Sequence, residues 1–331
     1  MKDRSKGFNL ETRQEALMRE AYGRTLAELG EKDSSIVVLD ADLSTSTKTS
    51  VFAERFPERF FNVGVAEANL MGIAAGLASA GKIPFVSTFS VFGTEKGLSQ
   101  FKQSIAYPKL NVKIVVTHGG LTVGEDGASH FCLWDIAIMR ALPNTTVVVP
   151  ADAIETEMAI MAVAKHQGPT FVRLTRPKTP LVYEEGYRYS GHQLKFEIGK
   201  SVTLEDGGDA TIIATGPVVA EALVAASNLK MENLDVGVIN MHTVKPLDER
   251  TVLKAAVETN ALVTAEDHSV IGGLGGAVTE VLAENRPTPL RRIGVRDEYG
   301  ESGPWRKLYE RYGLTSQHIE KAVREVLKMK R

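Results

Sequence analysis

Three clusters of side chains in this sequence have the types and spacing of an active site. The first is Asn62-Val63-Gly64-Val65-Ala66-Glu67, where an acidic residue opens a small and apolar stretch running from Ala68 to Ala80. A carboxyl so placed sits at a helix N-terminus beside a dry surface, where burial favours the neutral form and the helix dipole favours the anion. Proton sharing with a ligand and simple complementation of the dipole both fit that position. The second cluster, Thr88-Phe89-Ser90-Val91-Phe92, sets two aromatic rings three residues apart. Such a pair can stack on a planar heterocycle or fill a core. The third is a glycine-rich loop (Gly119, Gly120, Gly124, Gly127) holding His118, Glu125, Asp126 and His130. Long glycine-rich loops in compact domains tend to be functional. Two histidines with an acid suit hydroxyl binding and acid–base work, and also a metal site.

Asp40 and Asp42 follow one apolar run, and Arg173 and Arg176 end another, where a guanidinium can hold a phosphate through paired hydrogen bonds or make an ion pair. Cys132 has no base and orienting group patterned beside it, which favours a buried structural thiol over a nucleophile. Gly272-Gly273-Leu274-Gly275-Gly276 invites a dinucleotide reading, but Val278 stands where the fingerprint needs glycine, so tight helix–strand packing explains it better. His242 and His268 lie outside any such cluster and read as structural.

These clusters need a scaffold, and the apolar pattern supplies one. Short β-rich runs at 36–39, 83–86, 112–116, 146–149 and 170–173 alternate with helical spacing over 11–29, 67–80 and 153–166. Thr12-Arg13-Gln14-Glu15 has the form of a capping box at the start of the first helix. This alternation predicts an α/β fold with a mostly parallel sheet flanked by helices, whose ligands bind beyond the carboxyl ends of the strands. The rhythm breaks after Arg176-Pro177-Lys178-Thr179-Pro180 and restarts at Ala210-Thr211-Ile212-Ile213-Ala214, with further runs at 235–239, 261–265 and 290–295. Two domains follow, 1–190 and a smaller 191–331.

With 331 residues the chain is long enough for two hydrophobic cores. The 39 Lys plus Arg nearly balance the 41 Asp plus Glu, which argues against nucleic acid or an anionic membrane as partner. A single cysteine excludes an intrachain disulfide and a cysteine zinc cluster and fits a reducing cytosol. The charged start Met1-Lys2-Asp3-Arg4-Ser5-Lys6-Gly7 lacks a signal-peptide core, and no apolar run of spanning length occurs. A cytoplasmic protein is expected.

Taken together, Asp40-Ala41-Asp42-Leu43, Gly64-Val65-Ala66-Glu67, Thr88-Phe89 with Phe92, Thr117-His118, and Gly124-Glu125-Asp126-Gly127 with His130 resemble the C-terminal half of transketolase. That family uses thiamine diphosphate to move a two-carbon ketol unit between sugar phosphates of the pentose phosphate pathway. The resemblance covers nearly the whole chain, as a pyrimidine-binding domain followed by a C-terminal domain. It implies that Glu67 hydrogen-bonds the N1′ atom of the cofactor's aminopyrimidine and supports its imino form. Phe92 with Phe89 would stack on that ring, and Asp42 would lie near the thiazolium. Asp126 and His130 would hold the hydroxyl and carbonyl groups of the donor, making Glu67, Asp126 and His130 the catalytic candidates. Arg13, Ser46, His118 and Arg176 match positions that bind the substrate phosphate.

The sequence departs from the family around Glu67, where Ala66 and Ala68 flank the acid, after His130, where Phe131-Cys132 replace a usual Gln, and at Glu95, where an aromatic is common. No Gly-Asp-Gly with a downstream Asn, the family's Mg2+ and diphosphate motif, is present. The resemblance is therefore to the C-terminal subunit of a split transketolase, whose partner N-terminal subunit carries that motif and supplies the Mg2+ ligands, in an α2β2 assembly. The beta subunit of a 2-oxo-acid dehydrogenase and 1-deoxyxylulose-5-phosphate synthase share the layout, and a non-catalytic regulatory subunit is the alternative of another class.

Overall fold

The computed structural model describes residues 8–330; the charged segment 1–7 lies outside the described residues. Two sheets carry the chain. The larger has seven strands in the order Thr243–Lys245, Thr146–Val148, Thr170–Arg173, Lys113–Thr117, Ile83–Phe89, Ile36–Asp40 and Phe60–Asn62. All neighbours are parallel except Thr243–Lys245, which runs antiparallel to Thr146–Val148. The smaller has five, in the order Val202–Glu205, Val236–Asn240, Ala210–Ala214, Leu262–Ser269 and Leu290–Val295, with only Val202–Glu205 antiparallel. The strands Ile36–Asp40, Lys113–Thr117, Ala210–Ala214 and Val236–Asn240 are buried at every position, as parallel strands covered on both faces must be.

Helices Glu67–Ser79 and Ala153–Lys165 form where the periodicity places them. Asp152 caps the second: its carboxylate accepts a hydrogen bond from the Glu155 amide at 2.7 Å. The first helix does not start at the capping-box segment. Residues Glu15–Leu17 form a short strand paired antiparallel with Lys178–Pro180, and the helix runs from Met18 to Lys32. The Leu181 amide donates to the Gln14 carbonyl at 2.8 Å, so tertiary pairing takes up backbone groups that a helix start would have left free.

The expected glycine-rich turn at 272–276 serves packing. Gly273 leaves room for the Glu266 carboxylate, which accepts from the Leu274 and Gly275 amides at 2.7 and 2.8 Å and so pins the start of helix Leu274–Asn285. No helix among the described residues is long and apolar enough to cross a membrane.

Candidate active site

The chemistry-bearing residues gather at the carboxyl ends of the larger sheet. Asp40 ends its strand fully buried, and its carboxylate accepts from the Leu43 amide at 2.6 Å, Thr47 Oγ1 at 2.7 Å and Thr49 Oγ1 at 2.9 Å. It therefore shapes the turn that presents Asp42 and Ser46. Asp42 is exposed at positive φ, and its Oδ1 accepts from Asn62 Nδ2 at 3.0 Å. Asn62 Oδ1 also accepts from the Gly64 amide at 3.0 Å, so one side chain ties the Asp42 turn to the loop leading to Glu67.

Glu67 opens its helix and is only 3% exposed. Among the described residues it accepts no hydrogen bond; its nearest cation is Lys96 Nζ, at 4.0 Å. Lys96 also lies 4.5 Å from the centroid of the Phe92 ring. Phe92 stacks on Phe89 at 5.8 Å between centroids, and the His118 imidazole stacks on Phe89 at 3.7 Å. His130 meets the Phe92 ring edge-on at 5.5 Å. Phe89 is thus the buried floor and Phe92 the ring nearer the surface.

The loop brings His118, Asp126, His130 and Arg176 together. His118 is buried at positive φ, with Nδ1 2.8 Å from Thr117 Oγ1. Burial, and then the neighbouring charges of Arg19, Arg176 and His130, push its pKa down to about 3, so the ring is neutral at neutral pH. Arg176 donates through Nη1 to the Val123 carbonyl at 2.7 Å and to Glu125 at 2.9 Å, while its Nη2 stands 3.8 Å from Asp126.

Two placements differ from the sequence analysis. Arg13 is not in this group: its guanidinium covers the Phe8 ring at 4.3 Å and its charge bears on Tyr189. Arg173 is sealed inside, where its Nε donates to Asp135 at 2.7 Å and its Nη2 to the Asp267 carbonyl at 2.8 Å, which leaves it no role as a phosphate ligand. Arg19 and Lys96 are the residues that sequence reasoning missed. No motif marks either one; the Met18 helix start and the wide turn Phe92–Lys96 bring them to the site.

The second sheet braces the loop. Asp267 Oδ1 accepts from the Leu121 amide at 2.8 Å, and any side chain at Gly120, at φ +70°, would strike the same carboxylate. His268 is buried against Asp135 and Glu266, with its pKa lowered to about 4 chiefly by burial. His242 is buried against Phe196 and likewise pushed down to about 3. Cys132 is buried beside Phe89 and Val91, and burial pushes its thiol up, away from nucleophile chemistry. No cluster of metal-ligating side chains occurs among the described residues.

Residues 14–182 match the pyrimidine-binding domain of transketolase, and residues 199–319 match the transketolase C-terminal domain. The chain belongs to the transketolase family. Within that family it is 50% identical to a transketolase C-terminal section of Methanocaldococcus jannaschii, over 94% of this chain and 96% of the relative. A 6-deoxy-6-sulfo-D-fructose transketolase subunit of Clostridium sp. is 44% identical, with 96% of each chain covered. A solved structure described as a split gene transketolase, inactive beta4 tetramer, matches at 49% identity and a TM-score of 0.88, over 95% of this chain and 99% of that one. The chain's relatives thus include C-terminal subunits of split transketolases.

Proposed function

We propose that this chain is the C-terminal subunit of a two-chain, thiamine-diphosphate-dependent transketolase that transfers a two-carbon ketol unit from a ketose phosphate to an aldose phosphate. Glu67 carries the reading. A carboxylate only 3% exposed, with no hydrogen bond among the described residues, has acceptor capacity that a ligand can fill. An aminopyrimidine offers a ring nitrogen for Glu67 and a flat face for Phe92, with Phe89 behind it, so the residues present fit the cofactor. Asp42 lies at the rim where the rest of the cofactor would pass. When bound, thiamine diphosphate supplies the carbanion chemistry.

The chain's own residues then divide the work. Glu67 shares a proton with the pyrimidine ring nitrogen, while Asp126 and His130 hold the donor's hydroxyl and carbonyl oxygens. Ser46, neutral His118 and Arg176 face the sugar's phosphate; Arg13, stacked on Phe8, is left out of that set. A partner N-terminal subunit with Gly-Asp-Gly and a downstream Asn supplies the diphosphate and Mg2+ site, in an α2β2 assembly in the cytoplasm. Val65 and Phe61, exposed beside Glu67, support a face completed by another chain. The pyrimidine-binding and C-terminal domains divide near residue 190. The sulfosugar relative supports a second reading, in which the donor's terminal anion is a sulfonate.

The test is affinity capture of the chain from its native extract, with identification of the stoichiometric partner and a ketol-transfer assay on the complex. The expected partner carries Gly-Asp-Gly, and transfer requires both thiamine diphosphate and Mg2+. Capture of a lipoyl-complex alpha subunit would replace sugar transfer with 2-oxo-acid decarboxylation.

A further inference from the structure

The ammonium of Lys96 stands between the two groups that would hold the cofactor's ring. Its Nζ lies 4.5 Å from the centroid of the Phe92 ring and 4.0 Å from Glu67 Oε2. Phe89 stacks behind Phe92 at 5.8 Å, so a cation over Phe92 takes the face that Phe89 leaves open. Stacked ring centroids sit about 4.5–7 Å apart, and a ring nitrogen bonded to a carboxylate lies about 2.7–3.2 Å from its oxygen. A heterocycle that stacks on Phe92 and bonds Glu67 therefore needs the space that this ammonium fills. The lysine is held loosely: its side chain is 55% exposed, and its distance to Glu67 is beyond hydrogen-bond reach. The backbone beneath it is held firmly. Lys96 ends the wide turn Phe92–Lys96, where the Glu95 carboxylate accepts from Trp134 Nε1 at 2.9 Å and the Trp134 ring meets Tyr299 edge-on at 5.9 Å. A side chain at Gly97 would strike the Gly93 carbonyl and Met71, which keeps the turn close against the Glu67 helix. A flexible stem on a fixed turn lets the ammonium swing to solvent while Phe92 stays in place.

We propose that Lys96 is a placeholder for the cofactor's aminopyrimidine: its ammonium covers Phe92 and pairs with Glu67, and it swings out to solvent when the ring enters. The proposal rests on the thiamine-diphosphate reading and adds a residue that sets how tightly the ring is held. A buried carboxylate without a counter-charge is costly, so Lys96 supports Glu67 until the ring nitrogen takes over. Both lysine contacts must break before the ring can bind, which weakens its apparent affinity by the factor in which the covered form predominates. A partly exposed ion pair and a cation over an aromatic face are each modest, so that factor is small. Arginine at the same place would hold at least as firmly, because its planar group stacks on an aromatic face and its fork reaches a carboxylate.

The measurement needs no turnover. The full chain is titrated in a calorimeter with hydroxymethylpyrimidine, the cofactor's aminopyrimidine without the phosphates that a lysine would attract from a distance. Lys96→Met binds this probe roughly tenfold more tightly than wild type, and Lys96→Arg binds it no more tightly than wild type. Lysine acetylation read by mass spectrometry follows the displacement itself. Labelling of Lys96 rises as the probe is added to wild type, while that of the exposed Lys254 stays constant. Equal or weaker binding by Lys96→Met, or Lys96 labelling that falls or does not change, would overturn the placeholder and leave the ring site standing. No binding of the probe to wild type and Lys96→Met alike would also overturn it. In that case the cofactor reading falls too if the complex with the partner binds no thiamine diphosphate, and stands if it does.

Discussion

The seam between the two sheets and the open rim of the site are both rich in charge, and they treat it differently. In the seam, each charged group has a partner: Arg173 is held by Asp135 and the Asp267 carbonyl, Asp267 by the Leu121 amide, and Glu266 by two amides of a helix start. A second buried set repeats the pattern. Glu155 accepts from the Ala151 amide at 2.6 Å and from Asn240 Nδ2 at 2.8 Å, and burial raises its pKa to about 7. At the rim, among the described residues, Glu67 accepts no hydrogen bond and the Nε of Arg19 donates none. A buried polar group held by neighbours specifies a fold even where one of its atoms, such as Asp267 Oδ2 or Asn240 Oδ1, has no partner among the described residues, whereas one beside an opening can take up a ligand. The Arg173 guanidinium, suited by type to bind phosphate, is structural because its donors are already engaged.

Substitutions on the two sides should therefore fail in different ways. Glu67→Gln in the complex with its partner should lower kcat by roughly 10²- to 10⁴-fold, the usual weight of a proton-sharing group, while the melting temperature of the chain stays near wild type. Unchanged kcat would remove Glu67 from the chemistry. Arg173→Met should do the reverse. Stranding Asp135 in the seam should cost about 3–5 kcal/mol in denaturant unfolding, and a change below about 1 kcal/mol would show that the seam does not brace the loop.

Acid stability gives a smaller contrast. The pKa of His242 in the folded chain lies near 3, below the ordinary 6.5, so its contribution to stability is complete above about pH 6.5 and is lost as pH falls toward 3. His118 and His268 act in the same sense, whereas Glu155 and Glu266, raised to about 7, contribute stability at low pH that is lost as pH rises through 7. The informative quantity is therefore the difference between chains. Between pH 6 and 4, His242→Phe should flatten the stability profile by up to about 1.4 kcal/mol per pH unit, and parallel profiles would mean that His242 takes up its proton in the fold. The smallest effect belongs to the outer surface. A double-mutant cycle on Arg55 and Glu31, an exposed pair at 2.6 Å, should yield below about 1 kcal/mol.

The parallel strands were legible because a strand buried on both faces reads as a near-continuous apolar run, as at 36–39 and, beyond the buried Lys113, at 114–116. Glu67 was legible for a related reason, since its helix is apolar enough to announce its own start. The capping box at Thr12 was misleading because a capping box is local and the pairing of Glu15–Leu17 with Lys178–Pro180 is not. Arg19 and Arg13 differ in surroundings through tertiary placement alone: one lies on the first helical turn beside Ser46, the other against Phe8. The brace from Asp267 to Leu121 spans 146 positions, and no periodicity encodes such a contact.

Strand Thr243–Lys245 follows a strand of the smaller sheet yet completes the larger one. Its backbone acts as a latch. If a protease cut the exposed connection at 190–193, the two fragments would still be held by the Thr243–Lys245 rung, by Asp267 on the Leu121 amide and by Arg173 on the Asp267 carbonyl. They would travel as one particle until denatured. The two matched regions, 14–182 and 199–319, lie on either side of that connection, yet the Asp267 carboxylate ties the smaller sheet to the loop that carries His118 and His130.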